Sequence, residues 1–247
     1  MKTYAFLLLT LVALTPTPKK KITVWLCGDS TMSIKEVKAY PETGWGMPFT
    51  YFFDSTVSVR NLAKNGRSTK TFISENLWKT VMDNAGEGDY VFIQFGHNDE
   101  VKEKVNTYTT PEEYKTNLQR FVNEARQRKA IPILLTSVSR RKFENEKQVE
   151  THAHYSTLVR EVATATDVTF FDIDTKSREL YQQFGSETSK WLFLQLQPGE
   201  HPNYPAGKVD NTHFNELGAR LIAELVLKEI RDAKLELAER IVVPVKK

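Results

Sequence analysis

Five short, near-continuous apolar runs punctuate this chain: Ile22–Cys27 (ITVWLC), Thr56–Leu62, Tyr90–Phe95 (YVFIQF), Ile131–Val138 (IPILLTSV) and Val168–Ile173 (VTFFDI). Unbroken apolarity over such lengths suits strands covered on both faces, as in a parallel sheet. Between and after them the spacing predicts helices over Lys70–Ala85, Pro111–Lys129, Tyr155–Thr166, Lys176–Phe184 and Glu216–Ala233. Thr110-Pro111-Glu112-Glu113 is a helix start: threonine N-cap, proline in the first helical position, glutamate placed for a capping box. Leu118, Phe121, Val122 and Ala125 then share one stripe, and Leu217, Leu221, Leu225 and Leu227 or Ile230 are expected inward in the last helix. No internal repeat or long linker divides the chain. Strands alternating with helices therefore argue one α/β domain with right-handed crossovers.

Charge is nearly balanced, with 34 basic against 31 acidic side chains, which argues against a nucleic-acid partner. A single cysteine, Cys27, excludes an intrachain disulfide framework and a cysteine-rich metal site. The N-terminus differs from the rest: Lys2 is followed by an apolar run, Ala5–Leu14, and then Thr15-Pro16-Thr17-Pro18. That run is too short to span a bilayer, which takes roughly 20 residues. It fits a secretory signal over residues 1–18, so a secreted or periplasmic protein is expected, with the domain in 19–247 and no membrane contact once the signal is removed. An apolar first helix packed on the body is the competing reading.

In parallel α/β sheets, ligands bind beyond the carboxyl ends of the strands. The loops there hold Gly28-Asp29-Ser30, Asn65-Gly66-Arg67-Ser68 and Gly96-His97-Asn98-Asp99, and Asp210-Asn211-Thr212-His213 precedes the last helix. A serine hydroxyl attacks only when a base takes its proton and an acid orients that base. Ser30, at a turn expected to open a helix, is the candidate nucleophile. Asp210 and His213, spaced to share one tight turn, are the candidate acid and base. The Ser30 N–H, the Gly66 N–H and the Asn98 amide are candidate oxyanion donors. Ser30 does not lie in a G-x-S-x-G elbow.

Four motifs, G-D-S-T at 28–31, N-x-x-x-N-G-R-S at 61–68, G-H-N-D at 96–99 and D-N-T-H-F at 210–214, resemble the SGNH (GDSL-type) esterase superfamily. The stretch Ala63–Ser68 and the run P-G-E-H-P-N-Y-P at 198–205 are similar to the rhamnogalacturonan acetylesterases within it. The resemblance implies a flavodoxin-like three-layer α/β/α sandwich on a five-stranded parallel sheet. It implies Ser30 as nucleophile, Gly66 and Asn98 as oxyanion donors, His213 as base and Asp210 as its partner. It also implies a reaction through an acetyl-enzyme with no metal or other cofactor, on an acetylated polysaccharide or oligosaccharide. Thr31 stands where the superfamily more often has leucine, which argues against assuming a lipid substrate.

Other residues carry paired readings. Arg67 is a candidate substrate contact. Trp45, between Gly44 and Gly46, stacks on a sugar ring or packs in the core. His152 lines the site rim or sits on the surface. Tyr204 flanks the acyl pocket or packs its loop. Arg140-Arg141-Lys142 faces an acidic polysaccharide or is a solvated charge run, and His97 and Asp99 brace their loop. His152 and His154 are two residues apart, which puts them on different helix faces and speaks against a shared metal. Acetylxylan or another glycan is the alternative substrate. A metallophosphoesterase would need D-x-H before G-D and the order G-N-H-D, whereas this chain has Val24-Trp25-Leu26 and G-H-N-D. A non-catalytic polysaccharide-binding protein has no need of the intact residue set. With His213 as base, activity is expected to rise with pH as imidazole loses its proton. The oligomeric state is not legible.

Overall fold

Successive residues of the first apolar run point to opposite faces of the sheet, and both faces are buried. Ile22, Val24 and Leu26 join one core, while Trp25 and Cys27 join the other. The third and fourth runs divide in the same way: Phe92, Ile133 and Leu135 go to the first core, Val91, Ile93 and Leu134 to the second. A sheet with two dry faces needs a helical layer on each side, which is what the computed structural model contains. It describes residues 19–243, so the expected signal segment lies outside the described residues.

In chain order the elements are β1 (Ile22–Gly28), α1 (Gly46–Phe49), β2 (Val57–Asn61), α2 (Thr69–Ser74), α3 (Leu77–Asn84), β3 (Tyr90–Gln94), α4 (Pro111–Gln127), β4 (Ile131–Leu135), β5 (Phe143–Glu144), β6 (Lys147–Gln148), α5 (Ala153–Thr166), β7 (Thr169–Phe171), α6 (Ile173–Thr188), β8 (Phe193–Leu196), β9 (Lys208–Phe214) and α7 (Glu216–Asp232). Five strands form one parallel sheet in the order β2-β1-β3-β4-β7. Helices α1, α6 and α7 cover one face and α2 to α5 the other. The expected three-layer α/β/α sandwich is the observed one. Two antiparallel pairs, β5-β6 and β8-β9, lie outside the main sheet and were not expected. The chain leaves β1 toward one edge and returns past it to β3, so the switch of direction falls between β1 and β3, where a ligand crevice is expected.

The helix start at Thr110 is as expected, with Thr110 and Glu113 exchanging side-chain and backbone bonds. Other expectations need correction. The run around β2 alternates half-buried and exposed, because this is an edge strand. The helix expected over Lys70–Ala85 is two helices, broken where Asn76 turns left-handed at φ 61°. In α7 the buried stripe is Ala219, Ile222, Ala223, Val226, Leu227 and Ile230, while Leu217 is exposed. The cause is Gly218: a Cβ there would lie 1.9 Å from the Leu192 carbonyl oxygen, so the helix approaches closely at Gly218 and Ala219 and turns Leu217 outward.

Candidate active site

The segment after β1 is a tight turn rather than a helix start. The Asp29 carbonyl accepts the N–H of Met32 and of Ser33, and the next α-helix begins only at Gly46. The helix expected to open at Ser30 is therefore not formed there. The turn is held from beneath by a buried relay. Trp45 Nε1 donates to Gln94 Oε1 at 3.0 Å, and Gln94 Nε2 donates to Thr31 Oγ1 at 2.9 Å. Thr31 Oγ1 donates to Asp29 Oδ1 at 2.8 Å, and the same oxygen takes the Thr31 N–H at 2.9 Å. This corrects the sugar-stacking expectation for Trp45, whose ring is fully buried on Phe49.

Ser30 Oγ lies 2.8 Å from His213 Nε2, and His213 Nδ1 lies 2.9 Å from Asp210 Oδ2. A carboxylate only accepts, so Nδ1 carries the ring proton and Nε2 presents its lone pair to the serine. Burial works to raise the Asp210 carboxyl. The bonds from the His213 ring and backbone, the histidine's charge and the Thr212 N–H outweigh it and hold the group well below the usual carboxylate range. Asp210 and His213 share a turn-like kink, as expected, but it lies inside strand β9, which pairs irregularly with β8. Two contacts pin β9 beside Ser30. The Thr43 N–H reaches the Phe214 carbonyl at 2.9 Å, and the Arg141 N–H reaches that of Asn211 at 2.8 Å.

The loop after β2 brings Gly66 alongside. Its φ of +76° favours glycine, and a Cβ there would meet nothing within 4 Å. Among the described residues, no protein group takes the backbone N–H of Ser30 or of Gly66. Asn98 Nδ2 donates one proton to the Arg67 carbonyl at 3.0 Å and, among the described residues, has no acceptor for the other, so this amide holds the Gly66–Arg67 turn while remaining a donor. The Arg67 guanidinium pairs with Glu75 at 2.9 Å and bonds the Asn65 carbonyl at 2.7 Å. Asp99 braces its loop: its Oδ1 accepts Thr69 N–H, Thr69 Oγ1 and Thr109 Oγ1 at 2.9, 2.6 and 3.0 Å.

His152 is buried rather than on the rim or the surface. Its Nδ1 lies 2.8 Å from Glu100 Oε1, and its ring meets that of His97 with centroids 4.2 Å apart. Burial, with His152 adding to it, pushes His97 down to about 4. The Arg140–Lys142 run is neither of its two readings as a unit. Arg140 pairs with Glu100 at 2.9 Å, and Arg141 bonds Asn211 Oδ1 and Ser189 Oγ at 2.9 Å each. Only Lys142 is a solvated charge, beside Glu144. Tyr204 Oη donates to the Ala39 carbonyl at 2.8 Å, tying its loop to the segment that follows the nucleophile turn. Sequence reasoning missed Lys35, Glu42 and Gln195. Gln195 Nε2 holds the Asp210 carbonyl and Asn211 Oδ1 at 2.9 Å each. None of the three sits in a motif, and a lysine or glutamine reads as solvated until tertiary contacts bury it.

The GDSL-like Lipase/Acylhydrolase family model matches residues 26–221. Rhamnogalacturonan acetylesterase RhgT of Bacillus subtilis strain 168 is 40% identical over 225 residues, which is 91% of this chain and 96% of that protein. The probable rhamnogalacturonan acetylesterase YesY of the same strain is 32% identical over 224 residues, 89% of this chain and 97% of that one. Among solved structures, the YXIM protein of Bacillus subtilis superposes with a TM-score of 0.74 at 21% identity over 91% of this chain. This chain spans only 60% of that protein's length. Axe2, an acetylxylan esterase from Geobacillus stearothermophilus, superposes with a TM-score of 0.58 at 16% identity over 85% of this chain and 94% of its own, a likeness of fold. With its motifs in order across one parallel sheet and a family match over most of its length, the chain belongs to the GDSL-like lipase/acylhydrolase family.

Proposed function

We propose that this protein is an exported serine esterase that removes acetyl groups from a plant cell-wall polysaccharide, pectic rhamnogalacturonan, through an acetyl-enzyme. The observation that carries the reading is the 2.8 Å contact of Ser30 Oγ with His213 Nε2, backed by Asp210 at 2.9 Å. In this mechanism Ser30 Oγ attacks the acetyl carbon while its proton passes to His213 Nε2. The carbonyl electrons move to an oxyanion that accepts from the Ser30 and Gly66 N–H groups and from Asn98. His213 then returns the proton to the departing sugar oxygen, leaving acetate esterified to Ser30. A water molecule gives its proton to His213 as it attacks the same carbon, and the resulting oxyanion collapses to break the bond to Ser30 Oγ, which takes the proton back from His213 as acetate leaves. Oxyanion donors of this kind are worth roughly 3–4 kcal/mol each.

Two relatives with acetylesterase names, matched over nearly their full length, support the reaction and the pectic substrate. Export is supported by the apolar run Ala5–Leu14 alone. The test is acetate release from acetylated rhamnogalacturonan, acetylated homogalacturonan and acetylxylan, for the wild type against Ser30→Ala. Wild type is expected to act fastest on rhamnogalacturonan, without change in EDTA, and the variant to release no enzymatic acetate. Normal hydrolysis by Ser30→Ala overturns the mechanism, and a preference for acetylxylan overturns the substrate.

A further inference from the structure

Lys35 is buried to 5% exposure directly behind the nucleophile turn. Its Nζ donates to the Ser30 carbonyl at 2.6 Å and to Asn65 Oδ1 at 2.8 Å, and lies 2.7 Å from Glu42 Oε1. Three acceptors match the three protons of an ammonium. Each acceptor belongs to a different part of the site. Ser30 is the attacking residue and Asn65 immediately precedes Gly66. Glu42 lies in the segment that Asn203 and Tyr204 reach through the carbonyls of Tyr40 and Ala39. Ser33 Oγ adds a second bond to Asn65 Oδ1 at 2.6 Å, so that side chain is fixed from two directions. Burial draws the Lys35 ammonium below the ordinary lysine range, and Glu42 opposes the shift. Stability alone explains this arrangement poorly, because a buried ion pair repays its desolvation narrowly at best. What the three bonds do fix is the placement of one loop against another.

We propose that Lys35 is a positioning residue: by bonding the Ser30 carbonyl and the Asn65 side chain together, it sets the attacking hydroxyl against the Gly66 N–H. The inference rests on the esterase reading above. A second consequence follows from charge. His213 is bonded to Asp210 on its own strand, and Glu42, Asp29 and Asp210 are the charges that act on the Lys35 ammonium. Removing the Lys35 charge leaves Glu42, Asp29 and Asp210 to favour the imidazolium. Removing the Glu42 charge leaves Lys35 to oppose it.

The experiment is steady-state hydrolysis of 4-nitrophenyl acetate across pH by the wild type, Lys35→Met, Lys35→Arg, Glu42→Gln and Ser30→Ala, with circular dichroism as the folding check. Lys35→Met is expected to lose about 100-fold in kcat with KM changed less than about threefold, the effect of a misplaced but unbroken catalytic set. Its acid limb of kcat/KM moves to higher pH, that of Glu42→Gln moves to lower pH, and Lys35→Arg restores the wild-type limb. A folded Lys35→Met with kcat within about twofold of wild type overturns the proposal, as do acid limbs that stay still or move together. If Lys35→Met does not fold, Glu42→Gln decides: a lowered limb supports the proposal and an unmoved one overturns it. Failure of the esterase reading shows separately, as retained activity in Ser30→Ala whatever the Lys35 variants do.

Discussion

Asp210 grips His213 with both carboxylate oxygens: Oδ1 accepts the backbone N–H and Oδ2 the ring Nδ1–H, each at 2.9 Å. The first bond fixes where the histidine sits and the second which nitrogen carries its proton. Replacing Asp210 by asparagine preserves the shape but offers an N–H toward Nδ1, which pushes the ring proton to Nε2 and removes the base. Asp210→Asn is expected to lower kcat by about 10³–10⁴-fold with the fold intact. Stopped-flow or steady-state kinetics beside circular dichroism test it, and a loss under tenfold would count against the relay.

Because the carboxyl of Asp210 stays ionised far into acid, it contributes no proton to the wild-type acid limb. Activity therefore rises with pH along a limb of unit slope on a logarithmic plot of kcat/KM. A slope of two would assign a second titrating group to the step.

Asn98 serves two purposes through one amide, holding the Arg67 carbonyl at 3.0 Å with one proton and leaving the other for the substrate oxyanion. Asn98→Ala is expected to reduce kcat by about 10²–10³-fold while KM changes little, since the lost bond strengthens only as charge develops. A rise in KM at constant kcat would instead make Asn98 a ground-state binding group.

Asp99 is a buried carboxyl with Oδ2 unpartnered among the described residues, and burial pushes it up to about 7 against the pull of its threonine bonds. Below roughly pH 4 it is protonated in both folded and unfolded chains. From there to about 7 the folded protein keeps a proton that the unfolded chain has released, so stability falls as pH rises, and above that the loss is complete. The total is of the order of a few kcal/mol. Asp99→Asn keeps the oxygen that the threonines bond and removes the titration. Thermal melts at pH 5 and pH 8 are expected to show wild type losing stability relative to the variant as pH rises. Equal changes in both proteins would refute it.

Much of this molecule was legible before any coordinates. Apolar runs without alternation announced a sheet buried on both faces, and the capping box at Thr110 located a helix start, because both signals are local. Short motifs after three of those runs marked Ser30, Gly66 and Asn98, and a fourth before the last helix marked Asp210 and His213, as the candidate set.

The sequence was silent where a residue's role depends on what lies opposite. Trp45 reads as a surface stacker or a core ring, and burial against Phe49 and Gln94 decides for the core. Lys35 and Arg141 read as solvated charges until three loops close around the first and Asn211 and Ser189 meet the second. In α7 the closest approach falls on Gly218, which turns Leu217 outward, while Leu221, Leu225, Leu227 and Ile230 pack against the core as expected. Local pattern and hydrophobicity are properties of neighbours along the chain, so they determined the sheet, the helices and the candidate chemistry. Partners, desolvation and the 2.8 Å meeting of residues 30 and 213 depend on groups far apart in sequence, and only packing brings those together.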